Sequence, residues 1–115
     1  MYSYGHCNPQ GLAWSPEGVL FSSEHGPSGE FGLSAHDEIN IILKRGNYGW
    51  PHVVGAVRRE GYVDPFILWK EITPPAGIAF YRGELLGHLK GDLFIATLRS
   101  QALIRVRLKR VGETY

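Results

Sequence analysis

Apolar and polar positions alternate in short runs along this chain, and nearly every run ends at Gly, Pro, Asp or Asn. Short runs rich in β-branched and aromatic residues, punctuated in this way, read as strands joined by turns. Seven strands are predicted, over residues 11–14, 19–24, 38–43, 66–72, 77–81, 92–98 and 102–109. The last alternates cleanly, so Ile104, Val106 and Leu108 are expected to face a core while Arg105, Arg107 and Lys109 face water. No segment carries a capped 3.6-residue period, and no helix is predicted.

The runs also repeat. Gly11-Leu12-Ala13-Trp14 is echoed by Gly77-Ile78-Ala79-Phe80, Gly18-Val19-Leu20-Phe21 by Gly91-Asp92-Leu93-Phe94, and the stretch from Ile39 to Lys44 by that from Ile104 to Lys109. Two copies of one unit follow, residues 1–74 and 75–115, each giving three antiparallel strands, with 66–72 adding a fourth to the first. Four antiparallel strands are the strand count of a propeller blade. The expected fold class is therefore all-β: about two propeller blades, the second without its outer strand. Blades bury their faces only against neighbours, so two alone expose apolar surface, and self-association is expected.

Composition narrows the partners. The 115 residues carry a net charge of +1, which gives no field for nucleic acid or an anionic membrane. The one cysteine, Cys7, excludes an internal disulfide, so cysteine usage leaves the compartment open. The first residues show neither the basic nor the apolar region of an export signal, and no apolar run approaches bilayer length.

Candidate chemistry is concentrated in the first half. His25 and His36 are nominal bases, and His6, Cys7 and His25 a nominal soft-metal set, but their spacing fits no zinc pattern. Cys7 reads better as a small buried hydrophobe. Gly26-Pro27 is by itself routine turn punctuation, Asp37 and Glu38 fit a solvated strand start, and Arg99 a surface arginine after a strand. No catalytic residue is assigned.

Four clusters nevertheless arrive in fixed order: Gly5-His6-Cys7-Asn8-Pro9-Gln10-Gly11, Glu24-His25-Gly26-Pro27, Asp37-Glu38-Ile39-Asn40 and Gly46-Asn47-Tyr48-Gly49-Trp50-Pro51. Together with the stretches from Pro75 to Tyr81 and from Gly91 to Arg99, they resemble the soluble PQQ-dependent glucose/sorbosone (aldose sugar) dehydrogenases, six-bladed propellers that oxidise sugars with pyrroloquinoline quinone and Ca2+. The resemblance implies that Asn8 contacts the cofactor, that the carbonyls of Gly26 and Pro27 hold the Ca2+ beside it, and that Glu38 and the Tyr48 carbonyl hold a second Ca2+. Arg99 stands where the family has a cofactor-contacting Lys, Cys7 where it has an Arg, and Arg58 where an acidic ligand is expected.

The family's catalytic His lies before the equivalent of Tyr4 and an arginine pair beyond Tyr115, so this chain is expected to lack the full catalytic set. Three copies would make six blades. Family members are often periplasmic or secreted. A working oxidoreductase, complete once further blades close the ring, is the alternative, with a sugar as its ligand.

Overall fold

The computed structural model describes residues 1–29, 32 and 36–115. Its order is β1 (Asn8–Trp14), β2 (Leu20–His25), β3 (Glu38–Ile41), β4 (Ile67–Leu68), β5 (Pro75–Phe80), a 3-10 turn at Gly87–Leu89, β6 (Leu93–Thr97) and β7 (Leu103–Val106). The described residues contain no α-helix, and none of their helical segments is long and apolar enough to cross a membrane. Two sheets form, antiparallel throughout: four strands in the order β1-β2-β3-β4 and three in the order β5-β6-β7.

Each sheet is built by hairpin logic. The turn after β1 closes through Gly18 N–H to Ser15 O at 2.9 Å, while the Ser15 hydroxyl accepts from Val19 N–H at 3.0 Å. Gly18 is at φ 83°, where glycine escapes the clash a Cβ brings. The repeated runs become equivalent strands: β1 and β5, β2 and β6, β3 and β7. The inner strands, β1 and β5, carry a proline at their second and first positions and a register shift, between Pro9 and Gly11 and between Pro75 and Ile78. Proline is tolerated there because the missing N–H falls at a bulge on an edge strand.

The two sheets meet face to face over Phe21, Ile39, Phe80, Leu93 and Ile95. Phe21 is central, edge-on to Phe66 at 5.7 Å and to Phe80 at 5.2 Å. Such pairs add about 0.5–1.5 kcal/mol to the gain from burial. Ile104, Val106 and Leu108 pack partly against this core while Arg105, Arg107 and Lys109 are exposed, as alternation predicts. The inner strands approach closely at Gly11, where a Cβ would lie 2.8 Å from Ala76 O; beside it Ser23 Oγ donates to Ala76 O at 2.6 Å. The opposite faces stay open, with Leu12, Trp14 and Leu103 exposed.

Strand limits differ from expectation for identifiable reasons. The strand predicted over 66–72 is only Ile67–Leu68, because the chain must cross from the outer edge of one sheet to the inner strand of the next before Pro75. Trp69 N–H still reaches Asp37 O at 3.1 Å, and then the path turns away. β3 stops at Ile41 because the Tyr48 hydroxyl donates to Ile41 O at 2.5 Å and accepts from Leu43 N–H at 2.8 Å, replacing the ladder. β1 begins earlier than predicted, at Asn8, since Pro9 pairs with Glu24 despite lacking a donor.

Candidate functional site

The C-terminal end of β2 gathers most of the chemistry. Asn8 pairs with His25 and Pro9 with Glu24 on one side, and Glu38 pairs with Glu24 on the other. The next residues, Gly26 and Pro27, turn away from the sheet. At Gly26 a Cβ would stand 2.4 Å from His36 O, so only glycine lets these two backbones touch.

Beneath the turn lies a polar chain that pattern reading did not find. His6 Nδ1 donates to Glu24 Oε1 at 2.5 Å, and its Nε2 sits 2.8 Å from Ser3 Oγ. Asn40 Nδ2 donates to Glu24 Oε1 at 3.0 Å and to Glu38 Oε1 at 2.9 Å, and Cys7 N–H to Glu24 Oε2 at 3.2 Å. Glu24 is 1% exposed, yet both its oxygens are satisfied. The Tyr48 ring stacks on His6 at 4.4 Å.

Glu38 is different. Burial, and secondarily the nearby Glu24 carboxylate, push its carboxyl up from 4.5 to about 7, against the opposing hydrogen bond from Asn40. A carboxylate in that state gains from a cation. Glu38 lines a cavity of about 20 Å3 together with Gly26, Pro27, Cys7, His25 and His36. That volume admits one water or one monatomic ion.

The other sequence-predicted residues are spread around this point. Asn8 is exposed, its Oδ1 accepting from Gln10 Nε2 at 2.8 Å. Arg99 is exposed in the turn after β6, at the same end as the Gly26-Pro27 turn, because Thr97 pairs with Pro75 and His25 Nε2–H donates to Pro75 O at 2.7 Å. Tyr48 uses its side chain to anchor a loop. Arg58 lies in an exposed loop whose N–H groups are capped by Asp64. His25 and His36 each spend a ring nitrogen on a backbone carbonyl, of Pro75 and of Trp69. Among the described residues no group of three or more His, Cys, Asp or Glu is placed to hold a metal, so His6, Cys7 and His25 form no soft-metal site.

Asp37 overturns the expectation of a solvated strand start. It is 7% exposed and accepts Gly26 N–H at 3.2 Å and Thr73 N–H at 2.7 Å. A carboxylate that caps two backbone donors has left water for good reason. The sequence signal was its place between Gly26-Pro27 and a second proline-rich segment, which only the fold brings together.

The family model described as Glucose / Sorbosone dehydrogenase matches residues 1–114. The chain belongs to the glucose/sorbosone dehydrogenase family. Among solved structures, this family member is similar to an oxidoreductase (glucose dehydrogenase) of Thermus thermophilus, at 53% identity and TM-score 0.82, covering 96% of this chain and 31% of that one. It is similar also to the PQQ-bound aldose sugar dehydrogenase of Streptomyces coelicolor, at 38% identity and TM-score 0.76, covering 95% and 29%. Quinoprotein glucose dehydrogenase B of Acinetobacter calcoaceticus is 52% identical over 62 residues, 54% of this chain and 12% of that protein. The chain thus spans about a third or less of the length of these relatives.

Proposed function

We propose that this chain is a two-blade part of a sugar-oxidising quinoprotein propeller, supplying the cation turn and one flank of the cofactor site. By itself it lacks the full catalytic set. The observation that carries this reading is the Gly26-Pro27 turn bordering, with Glu38, a cavity of about 20 Å3. Hard oxygen donors and single-ion size fit Ca2+, which takes backbone carbonyls and carboxylates readily. Sulfur and imidazole on the same wall are minor beside them for a hard cation.

PQQ is an anionic quinone, and when bound beside Ca2+ it supplies the hydride acceptor for a sugar alcohol. This chain's own residues have simpler tasks. Arg99 offers a permanent charge at the same end of the sheets, Asn8 a hydrogen-bonding amide at the start of β1, and the Gly26 and Pro27 carbonyls a seat for the cation. Cys7, in the place of a guanidinium, weakens the cofactor's hold by roughly one charged hydrogen bond, about 1.5–3 kcal/mol. No residue described here is assigned as the base, and the alternative, a working oxidoreductase, applies once further blades complete the ring.

The exposed faces bearing Leu12 and Trp14 on one sheet and Leu103 on the other support association. We place three copies in one six-bladed ring, since three such chains approximate the length of one relative. Light scattering on the purified chain tests this: a trimer at micromolar concentration supports it, and a well-behaved monomer sinks it. Dye reduction by glucose with PQQ and Ca2+ then separates the readings, because turnover by the chain alone would contradict the incomplete catalytic set.

A further inference from the structure

The Gly26-Pro27 turn and the linker entering β5 have the same weakness. Proline has no N–H, so the dipeptide Gly26-Pro27 owns one backbone donor, on Gly26. In Thr73-Pro74-Pro75 the one donor is likewise on Thr73. Both go to the same acceptor, Asp37: Gly26 N–H to Oδ1 at 3.2 Å and Thr73 N–H to Oδ2 at 2.7 Å. Asp37 is itself fixed, its carbonyl accepting Trp69 N–H at 3.1 Å, and the adjoining His36 backbone abuts Gly26.

The linker passes the constraint on. Pro74 O accepts Leu98 N–H at 3.0 Å, and Leu98 adjoins Arg99. A continuous path therefore runs from Gly26 through the Asp37 carboxylate, Thr73 and Pro74 to Leu98. It joins the turn on the first sheet to the turn on the second. A cleft of about 290 Å3 opens between the two segments, lined by Pro27, Ser28, Asp37, Ile72 and Pro74.

We infer that Asp37 is a positioning residue that sets the Gly26-Pro27 turn against the Thr73-Pro75 linker, and through Leu98 fixes where Arg99 stands relative to that turn. Asp37 touches neither cofactor nor cation in this role; it aims backbone groups that do. The consequence for Ca2+ rests on the reading of Gly26 and Pro27 as its carbonyl donors, whereas the clamp itself does not.

Amide hydrogen exchange by NMR on the whole chain, without added metal, tests the clamp. In Asp37→Asn, one carboxylate oxygen becomes an NH2 facing a backbone donor, and protection should fall roughly ten-fold or more at whichever of Gly26 and Thr73 faces it, with a smaller loss at Leu98. Unchanged protection at Gly26 and Thr73 overturns the inference. If that variant does not fold, Thr73→Pro deletes the linker's donor alone: Gly26 should stay protected while Leu98 loses protection, and an unaltered Leu98 overturns it equally. A Ca2+ titration followed on the same amides gives the second arm. In the wild type Gly26 and Leu98 should shift along one binding curve; in Asp37→Asn the Leu98 response should vanish and the affinity drop about ten-fold. A wild type whose Gly26 does not respond to Ca2+ removes the cation reading, and the exchange result still decides the clamp.

Discussion

His6 Nδ1 stands 2.5 Å from Glu24 Oε1, pairing an imidazole with a carboxylate that is almost wholly removed from water. The pair sits where β1 begins and β2 ends, next to the Gly26-Pro27 turn in sequence. Breaking a buried pair by removing one member costs about 3–5 kcal/mol, because the other is left charged and unpaired. Cys7 N–H and Asn40 Nδ2 retain part of the compensation here. His6→Ala should therefore lower unfolding free energy by about 3 kcal/mol in urea titrations. Loss below about 1 kcal/mol would show that Glu24 does not depend on this partner.

Glu38 makes stability depend on pH. Its carboxyl is raised from 4.5 to about 7 on folding, so the folded chain holds that proton more tightly than the unfolded one. The contribution is full below about pH 4.5 and is lost as pH rises through 7, by an amount on the order of 2–3 kcal/mol after allowing for partial exposure. Glu38→Gln should remove this slope, matching the wild type near pH 5 and exceeding it at about pH 8. Millimolar Ca2+ should restore the wild type at about pH 8 and leave Glu38→Gln unmoved, a difference read directly from urea midpoints.

Gly11 controls how closely the inner strands approach. An alanine Cβ there would meet Ala76 O at 2.8 Å and Ser23 Oγ at 3.0 Å, and backbone cannot retreat as a side-chain tip can. Gly11→Ala should cost about 1–3 kcal/mol and weaken the Ser23 to Ala76 bond. Chemical denaturation measures the first effect, and hydrogen exchange in β5 the second.

Phe21 is fully buried between the sheets, touching rings from both. Phe21→Ala should cost about 3–5 kcal/mol, through lost burial and the void left behind. Near-UV circular dichroism should lose its aromatic signal together with the stability. A milder, leucine-sized replacement should keep the fold.

Much of the framework was legible because β alternation is local. Ile104, Val106 and Leu108 announce their face without reference to any other segment, and the paired echoes of Gly11-Leu12-Ala13-Trp14 and Gly77-Ile78-Ala79-Phe80 announce the repeated unit. The outer strand over 66–72 is shorter than its apolar content suggests, because that content serves a crossing between sheets, which no local pattern records. Neighbouring polar residues make Asp37 look solvated; its two backbone donors lie eleven residues before and thirty-six after it. The His6 to Glu24 pair is hidden by the bulge between Pro9 and Gly11, which shifts the register counted back from the Ser15 to Gly18 turn.

The site divides in the same way. Gly26, Pro27 and Glu38 meet at one small cavity, as residues close in sequence to a single ladder can. Asn8 and Arg99 belong to different sheets, and their relation depends on a linker whose path is set by Asp37. Sequence spacing cannot express that dependence.

The central proposal is that this chain supplies the cation turn and one flank of a quinone site at Gly26-Pro27. A PQQ absorbance titration of the purified chain, with and without Ca2+, in the wild type and in Gly26→Ala, tests it most directly. The account predicts saturable binding that requires Ca2+ and is lost in Gly26→Ala, where a Cβ would collide with His36 O. Binding that ignores Ca2+, or that survives Gly26→Ala unchanged, would contradict it.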